Sequence, residues 1–101
     1  ISFVKDNYNE LTSNWMEQDP KDLILNNLGY ELMANNELDA ALELFMLNTV
    51  LFPTVANCWD SYADALLRSG DKVAALKNYN KALDIDPDLP SARKAVAAIA
   101  N

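Results

Sequence analysis

Laid over itself at an offset of 34 residues, the chain repeats: Leu32 falls on Leu66, Ala40-Ala41-Leu42 on Ala74-Ala75-Leu76, and Pro53 on Pro87. Chemically similar pairs fill the gaps, namely Leu25 with Trp59, Leu28 with Tyr62, Gly29 with Ala63, and Phe45 with Tyr79. A period of this length restricts the chain to units that cannot bury their apolar faces alone and must stack on their neighbours. Within each unit the apolar positions recur at helical spacing, as in Leu25, Leu28, Leu32 and then Leu38, Ala41, Leu42, Phe45. The unit is therefore two amphipathic helices joined by a short polar break.

The punctuation agrees. Asp19 can cap a helix opening at Pro20, where the missing N–H costs nothing. Asn35-Asn36 and Ser69-Gly70 are the breaks inside the repeats, and Gly70 suits the left-handed position after a helix. Pro53 and Pro87 stop the second helix of each unit. These signals predict helices at about 2–18, 21–34, 38–51, 55–68, 72–85 and 90–100. The expected organisation is an N-terminal amphipathic helix and linker over 1–19, a first repeat over 20–53, a second over 54–87, and a C-terminal capping helix over 88–101.

Small residues explain how so short a unit packs. Gly29 or Ala63 on the first helix is expected to meet Ala41 or Ala75 on the second, letting the axes approach closely, while Phe45 and Tyr79 fill the flanking space. The last stretch puts Ala92, Val96 and Ile99/Ala100 on one face with Arg93 and Lys94 off it, which suits a cap. At the other end Val4, Tyr8, Leu11 and Trp15 form an apolar stripe on an otherwise polar helix. That stripe fits packing on the first repeat, with docking on an upstream domain or a second copy as the sharper alternative.

With those residues in place, the pattern resembles the tetratricopeptide repeat (TPR): an aromatic or Leu, then Leu-Gly, Tyr, a central Ala, Phe and a closing Pro. The first repeat supplies Leu25, Leu28, Gly29, Leu32, Ala41, Phe45 and Pro53; the second supplies Trp59, Tyr62, Ala63, Leu66, Ala75, Tyr79, Ala82 and Pro87. Asn48 departs from it, standing where the family has a small residue such as Ala82. The resemblance implies an all-α fold, a right-handed superhelix of two helix-turn-helix repeats, and a non-catalytic module that binds a protein or peptide. It assigns Asn26, Tyr30, Asn57, Asp60, Ser61 and Asp64 to the concave face, with Arg68 and Lys94 at its edge. The basic clamp that chaperone-binding relatives use for a C-terminal carboxylate is not matched, because Asn26 and Tyr30 occupy the corresponding positions.

A finer pattern, Phe45, Leu47, Asn48, Pro53, Asn57, Asp60 and Ser61, resembles the TPR tails of bacterial serine hydrolases, both esterases and β-lactamase-like proteins. It implies an accessory role beside an upstream catalytic domain of the same chain, and it places no catalytic residue here. The start at Ile1 fits a soluble piece of a longer protein, whose compartment, cytoplasm or periplasm, depends on that parent. The alternative partner is a second copy, giving a homodimer.

Composition narrows the chemistry. The chain has no histidine and one cysteine, Cys58, so the commonest general base, an intrachain disulfide and a cysteine-based zinc site are all excluded. Residues 1–53 carry two lysines against nine acids, whereas 54–101 balance six against six. A net charge of −7 repels phosphates and argues against nucleic acid. The longest apolar run, Ala95 to Ala100, is far too short to span a bilayer. No cofactor or metal is expected.

Three constellations remain. Ser91-x-x-Lys94 has the spacing of a penicillin-binding nucleophile, but no Lys-Thr-Gly or Ser-Asp-Asn partner accompanies it. Asp84, Asp86 and Asp88 alternate like the opening of a calcium loop, yet Leu89 and Ala95 stand where that loop needs Gly and Glu, so a polar turn is expected. Asp60 and Asp64 lie one turn apart on one helix face and read as a solvated acidic stripe or a contact for a basic group.

Overall fold

The structure, a computed structural model, describes residues 20–100. The helix expected over 2–18, its stripe Val4, Tyr8, Leu11 and Trp15, and the cap at Asp19 lie outside the described residues. Within them the order is α1 (Pro20–Ala34), α2 (Leu38–Leu51), α3 (Ala56–Arg68), α4 (Lys72–Ile85) and α5 (Pro90–Ala100), with no strand among the described residues. Each helix packs on the next, and α1 also touches α3. That is an all-α, TPR-like stack of two hairpins and a closing helix. No helix among the described residues is long and apolar enough to cross a membrane.

Both hairpins turn by the same device. Glu37 N–H donates to Leu32 C=O (2.8 Å) and Asn36 N–H to Met33 C=O (3.1 Å); one period later Asp71 N–H donates to Leu66 C=O (3.0 Å) and Gly70 N–H to Leu67 C=O (3.1 Å). These bonds recover carbonyls that the helix ends would leave unpaired, and they require a left-handed residue. Asn36 (φ 63°) and Gly70 (φ 95°) supply it. A Cβ added at Gly70 would meet nothing within 4 Å, so the demand there is purely conformational. Gly70→Ala should therefore cost about 1–2 kcal/mol without any clash, read as a lowered thermal midpoint. Asp71 then caps α4, accepting from Ala74 N–H at 3.0 Å, while Glu37 makes no such bond for α2.

The interior divides into two clusters, and each takes residues from both repeats. Met33, Ala41, Phe45 and Ala65 form one buried cluster. Ala63, Leu66, Ala75, Tyr79, Ala82 and Ala92 form the other, which draws α5 onto the second hairpin, with Ala95, Val96 and Ile99 packed beside it. At the close approach around Gly29 the nearest neighbour is Phe45, which was expected to fill the flanking space. A Cβ at Gly29 would stand 2.4 Å from Cε1 and 2.5 Å from Cζ of Phe45, so the ring occupies the space that glycine leaves. Phe45 is too large to sit beside the crossing and lies in it.

Candidate interaction face

The face assembles around Asp64, which α3 presents between α1 and α4. Tyr30 of α1 donates its hydroxyl to Asp64 Oδ2 at 2.7 Å, and Tyr79 of α4 donates a short bond to Asp64 Oδ1. Tyr30 Oη also lies 3.3 Å from Ser61 Oγ, and its ring meets Phe45 edge-on at 5.2 Å between centroids. Burial, reinforced by the Asp64 charge, pushes both phenols well above their ordinary value, so both remain protonated donors at any physiological pH. One carboxylate thus joins three helices drawn from both repeats.

Asp60 is held differently. It is only 4% exposed, and Ser91 of α5 donates to its Oδ2 at 2.7 Å. Its other oxygen, Oδ1, is buried with no hydrogen-bond partner among the described residues. Burial raises the Asp60 carboxyl above the ordinary carboxylate range; the Ser91 bond pulls it down and the Asp64 charge pushes it up. Because the folded-state value is the higher one, its contribution to stability is fully present below the unfolded value and is lost as pH rises through the folded one. Asp60→Asn should therefore gain on the wild type as pH rises from about 4 towards 7. Chemical denaturation of both proteins across that range checks this; parallel stability curves would contradict it.

The remaining expected residues are distributed unevenly. Asn26 is 9% exposed, its buried Oδ1 without a hydrogen-bond partner among the described residues, and Ser61 is wholly enclosed, whereas Asn57, Arg68 and Lys94 are exposed. The two carboxylates are not a solvated stripe: α5 covers Asp60 and two tyrosines hold Asp64. Ser91 spends its proton on a carboxylate, which makes it a fastener for α5. Asp86 Oδ1 accepts from Asp88 N–H at 3.1 Å, tying the turn before α5. Beside the Tyr30–Asp64 bond an open cavity of about 620 Å³ is lined by Tyr30, Met33, Ala34, Asp64, Leu67 and Arg68. Arg68 makes no ion pair among the described residues.

Two participants escaped the sequence reading. Tyr79 was expected only to fill space, though a phenol buried where the first repeat carries Phe45 needs a partner for its hydroxyl, and that was the available signal. Ser91 carried no such signal, since its bond depends on where α5 lands.

Comparison with known proteins bears on the second half of the chain. No curated protein matches the sequence, and the resemblance to hydrolase tails gains no support from a relative. Residues 56–99 match the family model of the tetratricopeptide repeat, spanning α3, α4 and most of α5. The first hairpin, with Leu25, Leu28 and Asn48 in place of Trp59, Tyr62 and Ala82, lies outside that match. The chain thus contains a tetratricopeptide repeat within an all-α helical-repeat fold, of a kind that typically mediates protein–protein interaction and is generally non-catalytic.

Proposed function

We propose that this chain is a protein-interaction module that receives a segment of a partner protein on the face shared by α1 and α3. The cavity beside Tyr30 and Asp64 carries the proposal. Its polar wall is fixed by hydrogen bonds, its floor is apolar through Met33 and Leu67, and Arg68 offers an exposed cation at its rim. Such a site suits an apolar side chain flanked by a carboxylate or carbonyl that Arg68 can engage. Peptides selected from a displayed library on the 101-residue chain should lose at least tenfold affinity on Arg68→Glu and on Ala34→Trp, with the helical circular dichroism retained. Selected peptides indifferent to both substitutions would overturn the assignment.

Self-association is the rival within the same class. It is favoured by α2, which exposes Met46, Leu47, Val50 and Leu51 where α4 carries Asn80, Lys81, Asp84 and Ile85. Light scattering over a concentration series decides it, since a constant monomer mass removes the homodimer. An accessory role beside a serine hydrolase has less behind it. Phe45 and Asn48 are buried, and Asp60 and Ser61 belong to the hydrogen-bonded face, so packing already accounts for most of the pattern that suggested it.

A further inference from the structure

The outer faces of α2 and α4 occupy equivalent places in the two repeats and differ in chemistry. On α2, Met46 (49% exposed), Leu47 (46%), Val50 (69%) and Leu51 (52%) neighbour one another at helical spacings of three and four, forming one continuous apolar patch. The corresponding residues of α4 are Asn80, Lys81, Asp84 and Ile85, and Lys81 is held 5.5 Å over the Trp59 ring. Packing does not account for the patch, because α2 meets its neighbours through Ala41, Phe45, Asn48 and Thr49 on the opposite face. Among the described residues of α3, α4 and α5, Val73 is the only large hydrophobic side chain left exposed. Apolar surface concentrated on one helix in this way marks an interaction face.

The charge around the patch identifies its occupant. Glu43 lies one turn before Met46 and Leu47, and Asp39 one turn before Glu43, both exposed. At the other end the last turn of α2 carries no basic residue, so its carbonyl dipoles add negative potential beside Leu51. No cation stands between Lys21 and Arg68, while Glu31, Glu37, Asp39 and Glu43 all lie exposed within that span. A second copy does not match this surface. A two-fold contact through α2 would bring Glu43 and Asp39 towards their own counterparts with no cation to answer them. Head-to-tail contact with the cation-bearing second hairpin would offer Val73 alone as apolar surface. We infer that the outer face of α2 docks a basic amphipathic helix of another protein. Its apolar side covers Met46, Leu47, Val50 and Leu51; its lysines or arginines meet Glu43 and Asp39 at one end and the α2 C-terminus at the other. Glu43 and Leu51 are about 12 Å apart along the helix axis, so the basic groups flank an apolar run of roughly two turns. The cavity beside Tyr30 and Asp64 is lined by α1 and α3 without α2, so the module has two separate surfaces.

The probe is a fluorescent peptide of leucine and lysine with its leucines at helical spacings of three and four. Anisotropy titration with the 101-residue chain should show saturable binding. A scrambled leucine–lysine peptide, and one with glutamate in place of lysine, should each bind about tenfold more weakly or worse. Val50→Asp and Leu47→Lys change exposed positions, and each should weaken the amphipathic peptide by about tenfold with helical circular dichroism retained. Val73→Asp on α4 and Arg68→Glu at the cavity should not weaken it, so this docking and the cavity assignment can fail separately. No saturable binding, equal binding of the scrambled peptide, or an affinity indifferent to Val50→Asp and Leu47→Lys would overturn the inference. A dimer by sedimentation equilibrium that Val50→Asp converts to monomer would assign the face to a second copy instead.

Discussion

A single methyl group at Gly29 should cost the fold about 2–3 kcal/mol, lowering the thermal midpoint by roughly 10–20 °C. Alanine is the better helix former by about 1 kcal/mol, so substitution in the middle of α1 would ordinarily stabilise. Here the new Cβ would stand 2.4, 2.5 and 2.9 Å from three atoms of the Phe45 ring. Carbon atoms prefer about 3.5–4.0 Å, so the shortfall exceeds what small adjustments absorb. Phe45 cannot retreat, because it is fully buried between Met33, Ala41 and Ala65 and meets Tyr30 edge-on. Relief should come from shortening the ring. Phe45→Leu alone should destabilise, yet with Gly29→Ala it should cost about 1 kcal/mol or more less than the sum of the two changes. Additive losses in a double-mutant cycle would show that the crossing is not set by this pair.

Removing the Asp64 side chain should be comparably damaging, at about 3 kcal/mol for Asp64→Ala by denaturant unfolding. Tyr79 is almost wholly enclosed, and without Asp64 its hydroxyl keeps the cost of burial with no acceptor. Tyr30 loses its 2.7 Å bond at the same time and keeps only the longer approach to Ser61. The double variant Asp64→Ala/Tyr79→Phe should recover part of the loss, because it removes the stranded donor along with the acceptor. No recovery would mean that water satisfies the Tyr79 hydroxyl in the single variant.

What could be read beforehand follows from the range of the forces involved. Helix limits were legible because their determinants are local: the period, the prolines past α2 and α4, and the glycine whose left-handed conformation ends α3. Asn36 takes the same conformation, and only its alignment with Gly70 hinted at that. The face was less legible. Tyr30, Ser61, Asp60 and Asp64 could be grouped, but their exposure depends on what packs above them. The 31-residue reach from Asp60 to Ser91 is set by the angle at which α5 closes the stack. Sequence periodicity fixes which side of a helix a residue occupies, and long-range packing decides whether that side meets water.

The joint between α2 and α3 is built like the joint between α4 and α5: a short loop behind a proline, then a helix laid across the preceding one. A chain made with one type of coupling has no privileged length. Thirty-four residues duplicated after Pro53 would meet the same geometry on both sides and lengthen the molecule without redesign. The number of units is therefore open to change by simple gene duplication.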